Sequence, residues 1–219
     1  MSAIVLLTIC VTVLFILLFI RKNKYNVSLI KCIIITISSG ALGLLGTRVL
    51  YFVENGNFFG QSFYGAVLFF PVFLFPVAWL LKIRLSDMLD YATPPGLAML
   101  VLFKFNCYLG GCCGGTVLYY KDGGIPVTFP SQLVEMGAAL ALTILLFIVE
   151  YKNKLKRNIY SLCLITYGST RFILNWFRAE RSEYILGISA GHFWSIVSVF
   201  LGVLTMVLSY VREKRVNTK

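Results

Sequence analysis

Seven stretches of eighteen or more mostly apolar residues recur along this 219-residue chain, and nothing constrains its fold more. A helix of about 20 residues crosses the hydrocarbon core of a bilayer. Inside lipid every backbone N–H and C=O must find a partner, which a helix supplies within its own segment. The expected spans are residues 3–20, 29–53, 62–81, 86–108, 131–151, 159–177 and 188–211. The expected fold is all-α, a polytopic membrane protein of seven transmembrane helices forming a single domain over residues 1–219. Only 13% of residues are charged, against about 25% in soluble domains.

The net charge of +11 falls between the apolar runs. That placement reads as topology signals and contacts to anionic lipid head groups, and excludes nucleic acid as the partner. Fourteen of the 20 basic residues lie in 21–31, 82–84, 152–157 and 212–219, on one side of the alternation. Lys121, Arg178 and Arg181 alone lie on the other. The expected orientation therefore has the N-terminus outside and the C-terminus in the cytoplasm. The first apolar run has no basic stretch before it and no clear small-residue cleavage site after it, so it reads as a retained helix rather than a signal peptide. Segments 54–61, 110–130 and 178–187 are expected on the outer side.

Arg48, Lys104, Glu135 and Arg171 fall inside four different spans. Such charges usually face the bundle interior and mark a substrate path; interior ion pairing or snorkelling is the alternative. Three cations against one carboxylate leave a positive excess that an anionic ligand, such as a lipid phosphate, would satisfy. Glu135 also suits the helix dipole near the start of its span, with Ser131 as the expected cap. Tyr51 shares a helix face with Arg48, and Tyr167 with Arg171 four residues on. Two such faces would make a polar pocket. Gly40, Gly43 and Gly46 recur every three residues and would permit close helix approach.

Residues 103–115, Phe-Lys-Phe-Asn-Cys-Tyr-Leu-Gly-Gly-Cys-Cys-Gly-Gly, run from an apolar helix into a loop. Cys112 and Cys113 there read equally as a thiol site or as packing in a glycine turn. They are not a CxxC pair, and no second Cys/His pair completes a zinc site at the usual spacing. Cys10, Cys32 and Cys163 lie inside spans and read as packing residues. His192, the one histidine, reads as a packed or capping residue.

Together these pieces resemble the prolipoprotein diacylglyceryl transferase family. Gly46-Thr47-Arg48-Val49-Leu50-Tyr51 looks like its GARxxY stretch, and Ser62-Phe63-Tyr64-Gly65-Ala66 its SFHGG element. Residues 89–98 resemble its DxxAPxxAx segment, and residues 103–115 occupy the place of its signature. Pro130-Ser131-Gln132-Leu133-Val134-Glu135 looks like PSQLYE, and Tyr167-Gly168-x-x-Arg171-Phe172 with Phe177-Arg178 looks like YGxxRF…FR. The departures are specific. Tyr64 stands at the family's histidine and Lys104 at the signature arginine. Gly110 and Cys112 stand at the signature's asparagine and glutamate, and Asn175 at a later glutamate. The chain is similar to a divergent Gly-Cys-Cys-x-Gly branch.

The resemblance implies a bacterial plasma-membrane enzyme that moves a diacylglyceryl group from phosphatidylglycerol to a cysteine thiol of a lipobox-bearing precursor, with no cofactor or metal. It implies catalytic roles for Tyr64, Lys104 and Arg171, and substrate binding by Arg48, Tyr51, Glu135, Tyr167 and Arg178. A thiol role for Cys112 or Cys113 is a further option. The alternatives are a lipid-modifying homologue with another acceptor, or a non-catalytic lipid-binding member. A transporter lacks support, because no inverted repeat stands out.

Overall fold

The computed structural model describes residues 3–121, 124–152, 157–179, 183–185 and 187–217. Lys154, Lys156, Arg181 and Lys219, counted above as topology signals, lie outside the described residues. Helices α1 (Ala3–Arg21), α2 (Leu29–Asn55), α3 (Phe63–Leu68), α4 (Phe70–Leu80) and α5 (Leu85–Leu109) come first. A hairpin of β1 (Val117–Lys121) and β2 (Ile125–Thr128) follows, then α6 (Ser131–Tyr151) and α7 (Ile159–Asn175). A second short hairpin, β3 (Glu183–Ile185) and β4 (Ile188–Ser189), leads into α8 (Ala190–Asn217). The chain is mostly helical, as expected, and two short antiparallel hairpins add to the helices. The first pairs Val117 with Thr128 and Lys121 with Ile125, and its β-branched and aromatic residues favour strand.

Among the described residues, five segments are long and apolar enough to cross a membrane: α1, α2, α3 with α4, α6 and α8. Their outward faces are apolar, as Ile30, Trp79 and Phe200 show. The chain is a polytopic helical membrane protein. The two remaining long segments, α5 and α7, carry Asp87, Asp90, Lys104 and Arg171. Residues Met88 to Pro95 of α5 are buried on all sides, so its polar groups meet protein rather than lipid.

Among the described residues, prolines interrupt helix hydrogen bonding at Pro71, Pro76 and Pro94-Pro95, and side chains from other helices repair the first and the last. Pro94 and Pro95 have no N–H for the carbonyls of Asp90 and Tyr91, four residues back. The guanidinium of Arg21 donates to both of these carbonyls, at 3.0 Å to Asp90. Arg21 also pairs with Glu150 of α6 at 2.8 Å. Read from sequence as a topology signal, Arg21 is in fact buried and ties α1, α5 and α6 together. Likewise Pro71 has no N–H for the carbonyl of Val67, and the Tyr160 hydroxyl of α7 donates to it at 2.8 Å. The expected single helix over 62–81 is therefore two, α3 and α4, meeting at Phe69.

Asp90 serves a third joint. Its carboxylate accepts the N–H groups of Ile159 and Tyr160 at 3.0 and 3.3 Å. These belong to the first turn of α7, whose own Asn158 makes no side-chain cap. Of the three glycines on α2, only Gly46 makes a close helix contact. A Cβ there would lie 2.5 Å from the carbonyl oxygen of Gly65 on α3, so α2 and α3 touch through their main chains. Two buried clusters result, one centred on Leu18, Cys32, Ile35 and Tyr91, the other on Leu50, Tyr64, Leu146 and Tyr167.

Candidate lipid-binding cavity and thiol cluster

A cavity of about 850 Å³ touches both clusters and is walled by α1, α2, α3, the start of α4, α5, α7 and the start of α8. Leu14, Leu44, Val67 and Phe70 give it an apolar side. Lys104, Arg171 and Arg178 give it a cationic end. Behind these cations stands Glu135 on α6. Lys104 and Arg171 both form ion pairs with its carboxylate, and Arg178 approaches to 3.7 Å. The Glu135 side chain is 5% exposed and the cations 12–14%. Three positive charges on one carboxylate leave a net charge of +2 at a mostly apolar wall. Such a partly buried excess of positive charge is an arrangement that attracts an anion.

Backbone contacts set the position of Arg178, which lies beyond the end of α7. Gly115 bridges to it across the chain, and Thr116 N–H donates to the carbonyl of Phe177 at 3.0 Å. The start of α6 is held from the same loop. Ser131, expected as its cap, is instead the first helical residue after Pro130. Its hydroxyl donates to the Cys113 carbonyl at 2.8 Å, and Gln132 donates to that of Cys112 at 2.6 Å.

Tyr64 and Tyr167 line the cavity with ring centres 5.4 Å apart. The Tyr64 hydroxyl lies 2.6 Å from Ser195 Oγ. Ser195 donates its own proton to the Gly191 carbonyl, so Tyr64 is the donor and its lone pairs stay available. Asn175 donates to His192 Nδ1 at 2.8 Å and to Ser189 Oγ at 2.7 Å. The imidazole also packs edge-on against Phe172 and Trp176.

The thiols meet through a helix ending. Gly111 has φ +64, and the N–H groups of Gly111 and Cys112 bond to the carbonyls of Tyr108 and Cys107. This is a Schellman closure, in which the residue after the left-handed glycine folds back onto the one five positions earlier. Here those two residues are Cys112 and Cys107. Cys113 follows with φ +58, a conformation uncommon for a side-chain-bearing residue. The sulfurs of Cys107, Cys112 and Cys113 all lie within 4.8 Å of one another. Hydrogen bonding from Cys107, then the charges of Lys104 and Arg178, pull the Cys113 thiol down to about 5 despite its partial burial.

The structure thus gathers Lys104, Glu135, Arg171 and Arg178, with Tyr64 and Tyr167 beside them. Arg48 stands apart. It is exposed, donates to the Phe58 carbonyl and does not line the cavity. Tyr51 does line it, packed beside Gly60, so the expected Arg48–Tyr51 polar face is divided. Cys107, Ser189 and Ser195 were missed by sequence reading, while Asn175 and His192 were named there separately and the structure joins them. Only Cys107 had a signal, since Gly111 four residues on marks a fold-back.

A family model described as prolipoprotein diacylglyceryl transferase matches residues 2–208. The chain is 25% identical over 232 aligned positions to phosphatidylglycerol–prolipoprotein diacylglyceryl transferase 2 of Clostridium perfringens, covering 94% of this chain and 89% of the relative. It is 38% identical over 94 positions to the phosphatidylglycerol–prolipoprotein diacylglyceryl transferase of Proteus mirabilis, covering 42% of this chain and 32% of the relative. The Vibrio atlanticus protein of that name is 31% identical over 182 positions, covering 79% and 58%. The family match runs from α1 into α8 and takes in every helix that walls the cavity, so this membrane protein belongs to the prolipoprotein diacylglyceryl transferase family of enzymes.

Proposed function

We propose that this chain transfers the diacylglyceryl group of phosphatidylglycerol to a cysteine thiol of a lipobox-bearing prolipoprotein, in the bacterial plasma membrane. The observation that carries this is the uncompensated +2 charge where Lys104, Arg171 and Arg178 surround Glu135 at the end of an apolar cavity. The lipid phosphate sits against these cations and the acyl chains along the apolar wall. Attack by the acceptor sulfur on the glyceryl carbon forms a C–S bond and breaks the C–O bond to phosphate. Glycerol phosphate leaves with the electron pair. Its added negative charge is what a preorganised cation cluster stabilises most.

Glu135 holds the cations in place. Arg171 gives the planar two-pronged donor suited to phosphate, and Lys104 a point charge. Tyr167 packs the wall beside them. Tyr64, whose proton goes to Ser195, accepts a hydrogen bond from the incoming thiol. Tyr51 and Arg48 stand near the 54–61 loop, where the lipid enters from the outer leaflet. With seven crossings in one domain, N-terminus out and C-terminus in the cytoplasm, the cavity's cationic end and the cysteines lie toward the outer side.

The test is expression in a bacterium depleted of its own diacylglyceryl transferase, with lipoprotein mass as readout. The expected result is a mass gain of one diacylglyceryl group, lost with Arg171→Ala. Good membrane expression without any mass gain would contradict the proposal. A second reading, the same fold acting on a different acceptor, is favoured by the presence of Tyr64 and Cys112 at the family's histidine and glutamate positions. Lipid consumption by this chain without modification of a lipobox substrate would select it.

A further inference from the structure

A thiol must lose its proton before it attacks carbon, because the thiolate is the nucleophile. Tyr64 donates its proton to Ser195. The cation cluster holds its one carboxylate, Glu135, in ion pairs. The three cysteines lie beside this gap. Cys107 and Cys113 line the cavity, and Cys107 is one helical turn from Lys104. Cys112 is exposed.

We propose that Cys107, Cys112 and Cys113 form a zinc site that binds and activates the acceptor thiol. Four observations converge on this. The three sulfurs are mutually within 4.8 Å, and a tetrahedral zinc with Zn–S bonds of about 2.3 Å needs them about 3.8 Å apart. Closure requires shifts of about 1 Å at most. The backbone around them is fixed at both ends, by the Schellman closure on α5 and by Ser131 and Gln132 of α6. Cys113 holds a left-handed conformation that places its sulfur with the other two. Finally, three thiolates and Zn²⁺ carry a net charge of −1, and Lys104 and Arg178 lie near enough to Cys113 to interact with it. The cations that would repel a bare metal ion stabilise this anionic complex.

Three protein ligands with an open fourth position mark a catalytic rather than a structural zinc. Two of the three ligands line the cavity, so a thiol held by this site would lie beside the bound lipid. The acceptor thiol binds there as thiolate and releases its proton to solvent. Its sulfur then attacks the glyceryl carbon as above, and the product thioether, a poor ligand, dissociates. No oxidation or reduction occurs. The mechanism rests on the proposed transfer, but the metal site can be tested separately.

The purified full-length protein, loaded with zinc and washed with a weak chelator, is assayed for metal content. One zinc per chain is expected, and its loss in Cys107→Ser. Cobalt substitution should give thiolate-to-metal charge-transfer absorption, which grows when a lipobox peptide is added and does not when its cysteine is serine. No zinc in the wild type, equal zinc in the Cys107→Ser/Cys112→Ser/Cys113→Ser variant, or a disulfide among these cysteines in active protein would overturn the site. A cobalt spectrum unmoved by the peptide would overturn thiol activation. Arg171→Ala should keep its zinc while losing transfer. Zinc-loaded wild type that binds the peptide yet transfers nothing would support the site and instead defeat the transfer reading.

Discussion

Glu135 is the one anion among three cations, and its neighbours have no other carboxylate within ion-pair distance among the described residues. Replacing it with glutamine removes the negative charge and leaves three cations crowded in a poorly hydrated site. Glu135→Gln should lower stability by about 3–5 kcal/mol, the usual cost of breaking a buried pair, read as a fall in the thermal unfolding midpoint in detergent. Arg171→Ala acts differently. Glu135 keeps Lys104 and Arg178, so the fold survives, and transfer should fall by about a hundred- to thousandfold in kcat. Radiolabelled lipid transfer checks this. Lys104, Glu135 and Arg171 were legible in the sequence because a charge inside an apolar run must find a partner. Arg48 showed the limit of that rule. It lies near the end of α2, where a long side chain reaches the Phe58 carbonyl outside the cavity, and spacing alone does not tell which face turns inward.

At the scale of elements, proline and glycine decide the joints. Arg21 repairs the carbonyls freed by Pro94 and Pro95 while pairing with Glu150. Arg21→Met should therefore cost about 3 kcal/mol, because it unpairs two carbonyls and leaves the buried Glu150 carboxylate with only the longer 3.7 Å pair to Lys24. Intact membrane insertion with a lowered unfolding midpoint is the expected outcome. Gly111→Ala puts a Cβ on a left-handed residue at a cost of about 1–2 kcal/mol. It should loosen the fold-back that joins Cys112 to Cys107, so its bound zinc should fall more than its stability. The helices themselves were readable from apolar run lengths. The repairs were not, since Arg21 lies 70 residues from Tyr91 and looks like any basic residue at a helix end. The β1–β2 hairpin was missed because turn residues drew attention and the short Val117–Tyr120 run did not.

On the scale of the whole molecule, the described residues include five apolar segments beside the two helices that carry the intramembrane polar groups. That division lets a chain with Asp90, Lys104 and Arg171 in its long helices sit in lipid. It also explains why the family pattern could be recognised although several of its polar residues are exchanged. The matching pieces hold Glu135, Arg171 and Arg178, and Lys104 keeps the charge of the arginine at whose place it stands, while two of the departures, Tyr64 and Asn175, line the cavity. Impermeant labelling of single cysteines placed at Tyr119 and at Ile83 in a variant lacking the native six should mark the first from outside and the second only after lysis. The most direct measurement uses the purified protein in vesicles of phosphatidylglycerol labelled in the diacylglyceryl group, with a lipobox peptide. The account predicts label on the peptide cysteine, release of glycerol phosphate in equal amount, and loss of both with Arg171→Ala. Folded wild-type protein that produces neither, or an Arg171→Ala variant that turns over like wild type, would contradict it.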